Sequence, residues 1–407
     1  MSEWKEVLLK DISSYSEDRI KLDQINLLNY ISTENMNPNR EGVTVAASLP
    51  AAKTVSGYLS NDILISNIRP YFKKIWFADK GGGCSNDVLV IRNKHQDQVV
   101  SKYLYYNLFT DHFFDYVMTG AKGAKMPRGD KEEIMKYPLL LPPLNIQKKI
   151  VSILSNIDDK IQINLTMNKT LEEVAITLYK HWFIDFGPFQ DGDFTETELG
   201  RIPKGWEIKN LKDIAIILMG QSPKSEFYNQ KGDGLPFHQG VANYGIRFPI
   251  NVTYSTKLLR IAEEGDFLIS VRAPVGRLNV AHTKMVIGRG LSAISSKTNN
   301  PSFLFYTLKT IFSEEDKYGS GTIFNSINKG ELENLKVIVP LESIINEYES
   351  KVSKYDSLIK RNHEQILLLI DTRDYLLPRL LSGEIDVFEA AEIAREVILN
   401  EQPEPSV

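Results

Sequence analysis

The sequence contains a single cysteine, Cys84, so it cannot form an internal disulfide. Its six histidines show none of the spacings of a metal site, and we expect Cys84 to be a structural thiol. No apolar run approaches the roughly 20 residues that a membrane span requires. The amino terminus MSEWKEVLLKD lacks the basic and apolar regions of a secretion signal. We therefore expect a cytoplasmic protein without a membrane partner.

Signatures of catalysis are also missing. The glycine triplet at 81–83 is not followed by the lysine of a phosphate-binding loop, and residues 288–290 (Gly-Arg-Gly) form only part of a dinucleotide-binding fingerprint. We expect that second segment to be a flexible loop. Ser357 and Lys360 match S-x-x-K, but they lie in a helical stretch where solvated positions explain them. No amino-methyltransferase tetrapeptide occurs either, so we expect a chain that is not an enzyme and binds no metal or cofactor.

What the sequence does contain is an internal repeat. At a displacement of 198 residues, two helical stretches superpose, with their apolar residues spaced alternately by four and three. An average of about 3.5 residues keeps one stripe facing a partner helix, which predicts two halves of a coiled coil. The predicted seam residues in the first stretch are Ile150, Leu154, Ile157, Ile161, Asn164, Leu171 and Leu178. Those in the second are Tyr348, Val352, Tyr355, Ile359, Asn362, Ile366, Leu369 and Leu376.

The sequence before each helix repeats as well. The opening segments are WKEVLLKDI (4–12) and WEIKNLKDI (206–214), and DILIS (62–66) is matched by DFLIS (266–270). Gly123 and Gly321 each precede a proline-marked exit. The repeating unit is therefore a globular domain, an exit and a long helix.

Short strand-like runs and helical patches in the globular halves indicate an α+β fold. The runs include residues 87–93 and 336–340, and the helical patches are 101–117 and 301–312. We expect the aromatic residues of both patches to be core rather than a surface for stacking bases. The predicted segments are a first globular domain at 1–143, a first central helix at 144–185, a connector at 186–204, a second globular domain at 205–340, a second central helix at 341–381 and a C-terminal tail at 382–407. From about Glu389 onward the tail is acidic, and we expect it to fray, with a short helix as the alternative.

The charge is distributed unevenly. The net charge of −4 would be unusual for a nucleic-acid binder, but residues 201–340 hold 18 Lys and Arg against 12 Asp and Glu, and residues 1–140 hold 18 against 17. The excess of acid lies in the helical segments. This distribution permits the globular parts to meet phosphate while the helices do not.

Four stretches resemble the signature segments of type I restriction-modification specificity subunits, and together they span nearly the whole chain. They are YPLLLPPLNIQKKIVSIL (137–154), LYKHWFIDFGPF (178–189), LGRIPKGWEI (199–208) and YLLPRLLSGEI (375–385). One departure is the second exit, VIVPLESIINEYE, which begins at Val337 and lacks the Pro-Pro and Gln of the first exit.

The resemblance implies a division of labour. Two target-recognition domains would each read one half of a bipartite DNA site, and the two helices would pair as an antiparallel coiled coil that separates them. Two methyltransferase subunits, which carry S-adenosylmethionine, and motor-nuclease subunits would be the partners. A helix from about Asn145 to His181 would be roughly 55 Å long. We expect half-sites that are not inverted copies, because the two globular sequences differ.

In an antiparallel pair, Asn164 would meet Asn362 and fix the register through a buried amide contact; alternatively, both side chains would point partly to solvent. Apolar residues off the seam indicate a further buried face. Packing against the same globular half would cover some of them, and the resemblance implies that the methyltransferase subunits cover others. These off-seam residues are Ile153, Ile163, Leu165, Val174 and Ile176.

Candidate DNA-contacting residues are polar or basic and lie in loops that follow strands or flank glycine. In the first half they are Asn67, Arg69, Tyr71, Lys73, Lys74, Lys122, Lys125 and Arg128. In the second half they are Ser222, Lys224, Gln239, Asn243, Tyr244, Arg247, Arg272 and Arg277. We expect most true contacts to be with phosphate. The alternative function is a coiled-coil protein scaffold without sequence-specific DNA binding, which would not require basic glycine-rich loops in both halves.

Overall fold

The computed structural model describes residues 4–123, 125–312 and 326–399. The chain divides into two compact units. Unit 1 comprises the residues up to 163 and those from 365 onward, and unit 2 comprises residues 164–364. Each of the two long helices therefore contributes one part to each unit.

Unit 1 begins with strands and short helices that precede the first long helix. They are β1 (Lys5–Leu8), α1 (Leu9–Ile12), β2 (Ser13–Tyr15), β3 (Arg19–Lys21), β4 (Tyr30–Ile31), β5 (Thr54–Tyr58), β6 (Ile63–Ser66), β7 (Ile75–Phe77), β8 (Gly82–Cys84), β9 (Val88–Asn93), α2 (Ser101–Leu108), α3 (Asp111–Thr119), α4 (Lys131–Ile134) and β10 (Pro138–Leu141). The first long helix, α5 (Leu144–Phe183), follows.

Two four-stranded sheets form this globular part. One has the strand order β2-β9-β6-β7, and the other has the order β3-β5-β8-β4, in which β4 runs parallel to β8. Strand β6 is buried along its whole length, as is most of β9, because apolar side chains occupy both faces of these central strands. The sequence runs predicted as strands here are confirmed.

Beyond α5, the chain forms the strands and short helices of unit 2. They are β11 (Phe194–Thr197), β12 (Gly200–Pro203), β13 (Glu207–Asn210), α6 (Leu211–Ile214), β14 (Ala215–Met219), β15 (Tyr228–Asn229), β16 (Leu235–His238), β17 (Tyr254–Ser255), β18 (Ile261–Ala262), β19 (Phe267–Ser270), β20 (Leu278–Val280), β21 (Met285–Ile287), β22 (Leu291–Ser296), α7 (Pro301–Ile311), α8 (Lys329–Glu333) and β23 (Lys336–Val339). The second long helix α9 (Glu342–Ser382) and α10 (Val387–Leu399) complete the described chain.

The sheets of unit 2 repeat the topology of unit 1. The order β14-β22-β19-β20 matches β2-β9-β6-β7 strand for strand. In the second sheet, β16 runs parallel to β21, as β4 runs parallel to β8. The internal repeat in the sequence is therefore a repeat of the fold.

The opening and exit segments of each globular part pair with each other. Strand β1 is antiparallel to β10, and β13 is antiparallel to β23, each through four residue pairs. This pairing closes each globular part where its long helix begins. The sequence showed the repetition of these segments but not their pairing.

The long helices begin and end close to the predicted bounds, with 40 residues in α5 and 41 in α9. They run antiparallel. Within unit 2, Tyr348 Oη donates to Ala175 O at 3.2 Å, and Asn362 Nδ2 donates to Asn168 Oδ1 at 2.8 Å. Residue numbers therefore rise along α9 as they fall along α5.

Three local predictions need correction. The helical patch 101–117 is two helices: α2 ends at Leu108, and Thr110 caps the start of α3 by accepting from Phe113 N at 3.2 Å. The connector contains the hairpin β11–β12. In the tail, the expected fraying is wrong and the alternative, a short helix, is observed: α10 is held by its buried Ala390 and Ala394.

Gly321 lies outside the described residues. Among the helices of the described ranges, none is long and apolar enough to cross a membrane.

Candidate nucleic-acid interface

In unit 1, two loops that carry candidate residues meet. The loop after β6 and the loop after α3 are joined by an isolated bridge between Ile68 and Arg128, and Arg69 N donates to Pro127 O at 2.8 Å. These bonds place the basic segments, which are far apart in sequence, on one surface. The sequence indicated each loop separately but not their contact.

Arg69, Tyr71 and Lys125 are the most available candidates on this surface. All three are exposed, and neither cation has an ion partner among the residues that the structure describes. Arg69 also has a positive φ of 51°, which a residue other than glycine or asparagine rarely adopts. The backbone hydrogen bond to Pro127 helps to hold this conformation, so the Arg69 side chain projects from a fixed backbone position.

Other candidates in unit 1 are already engaged. Lys74 Nζ donates to Thr33 O at 2.7 Å, and burial lowers the pKa of its ammonium group. Asn67 is half-buried, with its Oδ1 facing the interior. Both side chains point inward, which argues against DNA contact. Three further cations pair with carboxylates: Lys73 with Asp111 at 2.7 Å, Lys122 with Asp130 at 2.6 Å and Arg128 with Asp87 at 3.1 Å.

In unit 2, loops carrying Ser222, Lys224, Gln239 and Arg272 converge at one end of the β14-β22-β19-β20 sheet. Lys224, Gln239, Arg272 and Arg277 are exposed, whereas Ser222 is half-buried and accepts a hydrogen bond from the backbone of residue 289. This surface combines cations with amide groups, the groups that bind phosphate and bases in DNA complexes.

Arg289 is a further candidate that the sequence motifs did not indicate. The segment Gly288-Arg289-Gly290 lies at the centre of the unit 2 surface, and Arg289 is exposed. Its prediction as a flexible loop is wrong, because the backbone is hydrogen-bonded to two neighbouring loops. The two flanking glycines were the available signal, since paired glycines often mark close backbone approach.

Arg247 is a wrong prediction as a DNA-contacting residue. Its side chain is only 8% exposed, and it lies 2.6 Å from Asp356 and 3.6 Å from Glu172. Tyr306 Oη lies 3.2 Å from the same guanidinium, and the ring of Phe305 packs beneath it at 4.3 Å. The residue is therefore a buried tie between the globular part and the long helices of unit 2.

Tyr244, which lies close to Arg247 in the sequence, is also unsuited to base contact. The hydroxyl of Tyr244 is buried, and burial raises its pKa far above the ordinary value. Asn243 is half-buried, and its carbonyl accepts from Ile250 N at 2.8 Å. The Tyr244 hydroxyl therefore points into the unit rather than toward a ligand, in contrast to the exposed Gln239 at the start of the same loop.

The seam positions lie where the repeat indicates. In unit 1, the buried ones are Ile150, Leu154, Ile157, Ile161, Ile366, Leu369 and Leu376. In unit 2, Asn164, Tyr348, Val352, Ile359 and Asn362 are buried, and Leu171, Leu178 and Tyr355 are half-buried.

The asparagines that interrupt the apolar seam are buried as predicted, but the partner of Asn362 differs from the predicted one. Asn164 and Asn362 are both buried, so the solvent-facing alternative is wrong. Asn362 donates to Asn168 Oδ1, and Asn168 donates in turn to Ile359 O at 3.3 Å. The amide contact of Asn362 is thus with the asparagine one turn beyond Asn164.

The off-seam residues divide into two groups. Ile153 is buried, and Leu165 and Ile176 are half-buried, so the chain itself covers them wholly or in part. By contrast, Ile163 is 54% exposed and Val174 is 45% exposed. These two leave apolar surface on α5.

Three histidines that the sequence spacing did not connect lie together in unit 2. His238 Nε2 and Asn251 Oδ1 are 2.9 Å apart, and Asn251 Nδ2 lies 3.3 Å from His282 Nε2. His363 stacks on Phe248 at 4.4 Å. Burial lowers the pKa of each histidine, to about 4 for His363. Within the described ranges, no group of His, Cys, Asp and Glu is arranged to hold a metal ion.

The remaining sequence-level candidates have structural roles. Cys84 is fully buried and unpaired, and burial raises the pKa of its thiol to about 12, which makes it a poor nucleophile. Ser357 Oγ donates to Ser353 O at 2.8 Å, and Lys360 forms an ion pair with Glu264. The expectation that the helical-patch aromatics are core is confirmed for Tyr103, Tyr106, Phe113, Phe114, Phe303, Phe305 and Tyr306.

Comparison with known proteins gives a consistent result. The family model for the type I restriction modification DNA specificity domain matches the chain twice, over residues 1–173 and 203–369. The type I restriction enzyme MjaIX specificity subunit of Methanocaldococcus jannaschii is 30% identical, over 72% of this chain and 71% of the relative. The HindI specificity subunit of Haemophilus influenzae is 25% identical, over 95% of this chain and 100% of the relative.

A solved structure shares the fold. The crystal structure of the type I restriction-modification system S subunit from M. genitalium covers 93% of this chain and 96% of its own, with a TM-score of 0.58 and 14% sequence identity. At this identity the likeness concerns the fold alone.

Proposed function

Because the chain belongs to the type I restriction-modification DNA specificity family, we propose that it reads a bipartite DNA site and thereby directs adenine methylation and, in the full complex, restriction. The observation that carries the proposal is the double match of the family model, once to each globular part and its helix. Two recognition domains in one chain provide one reader for each half-site. The chain itself supplies recognition rather than catalysis.

The surfaces of the two globular parts support unequal half-sites. Unit 1 offers Arg69, Tyr71 and Lys125 from two joined loops, whereas unit 2 offers cations together with the amide of Gln239. Arginine recognises guanine and glutamine recognises adenine through paired hydrogen bonds in the major groove. Different side chains on equivalent scaffolds would read different bases, so the site is not an inverted repeat.

The long helices would set the spacing between the half-sites. A continuous helix of 40 residues is about 60 Å long. Its apolar seam and amide contact favour one register, and a fixed register gives a fixed separation. The number of unread base pairs then becomes part of the specificity.

The chemistry would belong to partner subunits. Two methyltransferase subunits would carry S-adenosylmethionine and flip the target adenine out of the duplex, and restriction subunits would join the complex. The exposed Ile163 and Val174 on α5 provide apolar surface for such contacts. Their substitution by serine would weaken assembly without changing the DNA sequence that is read.

The test is methylome sequencing of a host that carries this chain with its neighbouring methyltransferase, compared with the same host lacking the chain. We expect one bipartite methyladenine motif to disappear on deletion. Tyr71→Ala and Gln239→Ala should each relax a different half of that motif, because they lie in different recognition domains. An unchanged methylome in an expressed, assembled complex would contradict the proposal and favour a protein scaffold.

A further inference from the structure

The turn at residues 288–290 of unit 2 is fixed by its backbone. Gly288 N and Gly290 N donate to the carbonyls of residues 238 and 239 at 2.8 and 3.0 Å. Arg289 N donates to Ser222 Oγ at 3.1 Å. All three backbone N–H groups therefore have protein acceptors, and the guanidinium of Arg289 is the donor left for a ligand.

The glycines on either side are required by this packing. A Cβ atom on Gly288 would lie 2.7 Å from Gln239 Cα, and one on Gly290 would lie 2.5 Å from Gln239 O. Neither distance is possible without moving backbone. The turn is thus a tightly packed support from which a single long side chain, that of Arg289, projects.

Two further cations lie on the adjoining loops. Lys224 is two residues beyond Ser222, and Arg272 follows Val271, whose N–H donates to Gly290 O at 2.9 Å. Lys224, Arg272 and Arg289 are all exposed, and none has an ion partner among the described residues. Three unneutralised cations on joined loops create a local positive potential suited to a phosphate.

We propose that Arg289, together with Lys224 and Arg272, binds the phosphate backbone of DNA and positions the second recognition domain, rather than reading a base. This inference rests on the proposed function. The equivalent turn of unit 1, residues 85–87, has no cation, and its Asp87 pairs with Arg128 instead. The proposed phosphate contact is therefore specific to the second domain, which also holds the larger excess of basic residues.

The experiment measures DNA affinity against salt concentration for the full chain in complex with its methyltransferase partner. The probes are a duplex carrying the wild-type methylation motif and a scrambled duplex of equal length. The variants are Arg289→Ala, Arg289→Lys and, as control, Lys212→Ala. Lys212 is exposed on α6, at the opposite end of the same sheet.

We expect Arg289→Ala to weaken binding to both duplexes on the order of ten-fold. The slope of log affinity against log salt should fall by about one, as for one lost phosphate contact. Arg289→Lys should retain most of the slope, since a phosphate accepts a point charge, and Lys212→Ala should match wild type. The methylated motif should be unchanged in every variant.

Two results would overturn the inference. If Arg289→Ala changes the base that is preferred at one position of a half-site, and Arg289→Lys loses the same preference, then Arg289 reads a base. An unchanged salt slope in Arg289→Ala would remove it from the interface. If the wild-type complex itself binds neither duplex, the proposed function fails instead, so the two failures are distinguishable.

Discussion

In both units a tyrosine of the globular part donates to an aspartate on a long helix. The arginine that pairs with this aspartate, however, comes from a different place in each unit. In unit 1, Tyr106 Oη donates to Asp158 at 2.7 Å, and Arg373 from α9 lies 3.1 Å from that carboxylate. The position on α5 that is equivalent to Arg373 in the repeat is Ala175. The cation of unit 1 is thus part of a long helix.

In unit 2, the cation comes from the globular part. Tyr306 Oη donates to Asp356 at 3.1 Å, and Arg247 from the loop after β16 completes the contact. The unit 1 residue at the same distance beyond the matching strand is Arg40, which pairs with Asp111 of its own globular part. The comparison shows that an arginine at equivalent places in two repeats can have different partners, so repetition alone does not identify a DNA contact.

Arg247→Met should have the largest effect on stability. The substitution removes the cation that pairs with the largely buried Asp356 and leaves Glu172 with Lys309 as its remaining partner. We expect the free energy of unfolding to fall by about 3–5 kcal/mol. Hydrogen exchange followed by mass spectrometry should show faster exchange across unit 2. Arg373→Met should cost roughly half as much in unit 1, because Arg373 and Asp158 are more exposed.

The double variant Arg247→Met with Asp356→Asn serves as the control, and it should recover part of the lost stability. Equal losses in the two units would break the comparison. A change in the salt dependence of DNA binding by folded Arg247→Met would restore Arg247 as a contact residue.

The second prediction concerns the residue by which the two exits differ, which is Gln147 at the start of α5 and Ile345 at the start of α9. Gln147 is fully buried, and it accepts from Val100 N and donates to Gln98 O and Pro142 O, each at 2.9 Å. Gln147→Ile introduces the residue that α9 has at the equivalent position and leaves these groups unpaired, which costs about 2–3 kcal/mol. Thermal unfolding would measure this loss.

In unit 2, the start of α7 corresponds to the start of α2. The residue that caps it is Glu349, which lies one turn further along α9 than the position equivalent to Gln147. Glu349 accepts from Ser302 N and Phe303 N, each at 3.0 Å. Glu349→Val should therefore destabilise α7, and Glu349→Gln, which keeps one acceptor, should cost less. If Gln147→Ile leaves α2 as protected from exchange as in wild type, the capping role assigned to Gln147 is wrong.

Much of the scaffold could be predicted from the sequence because its signals are local. The long helices and their seam follow from apolar spacing within each stretch, and central strands such as β6 follow from short apolar runs. The repeat also indicated that both halves share one fold. Each of these inferences needs only the chemistry of neighbouring residues.

Contacts between distant residues could not be predicted in this way. Arg247 and Arg272 are both basic residues in glycine-containing loops, and only the positions of Asp356 and Glu172 turn Arg247 inward. The histidine cluster likewise joins residues from separate elements. Arg289 lies in an incomplete nucleotide-binding fingerprint, and the groups that fix its turn come from loops that the sequence does not connect.

The third prediction uses a feature of unit 2, namely the histidine cluster. The position on α5 equivalent to His363 is Leu165. Burial, with a smaller contribution from His282, lowers the pKa of His363 from 6.5 to about 4. The folded state therefore binds fewer protons than the unfolded state between these values, and the free energy of unfolding falls as the pH drops through that range.

Urea unfolding at pH 7, 6, 5 and 4.5 would test this prediction. His363→Leu should reduce the loss of stability on acidification while leaving stability above pH 7 little changed. His238 and His282, whose pKa values burial also lowers, remain and contribute to the residual pH dependence. A variant whose pH dependence equals that of wild type would exclude His363 as the group responsible.

The smallest effect is expected at the amide contact of the long helices. In Asn362→Leu, Asn168 loses the donor to its Oδ1 but still donates to Ile359 O, so the stability should change by about 1 kcal/mol or less. The register should persist, because Tyr348 still bonds to Ala175 O and Arg247 still pairs with Asp356. Methylome sequencing of this variant should therefore show the wild-type motif with an unchanged spacer. A second motif with the same half-sites and a different spacer would show instead that the asparagine pair, rather than the ties to the globular part, sets the register.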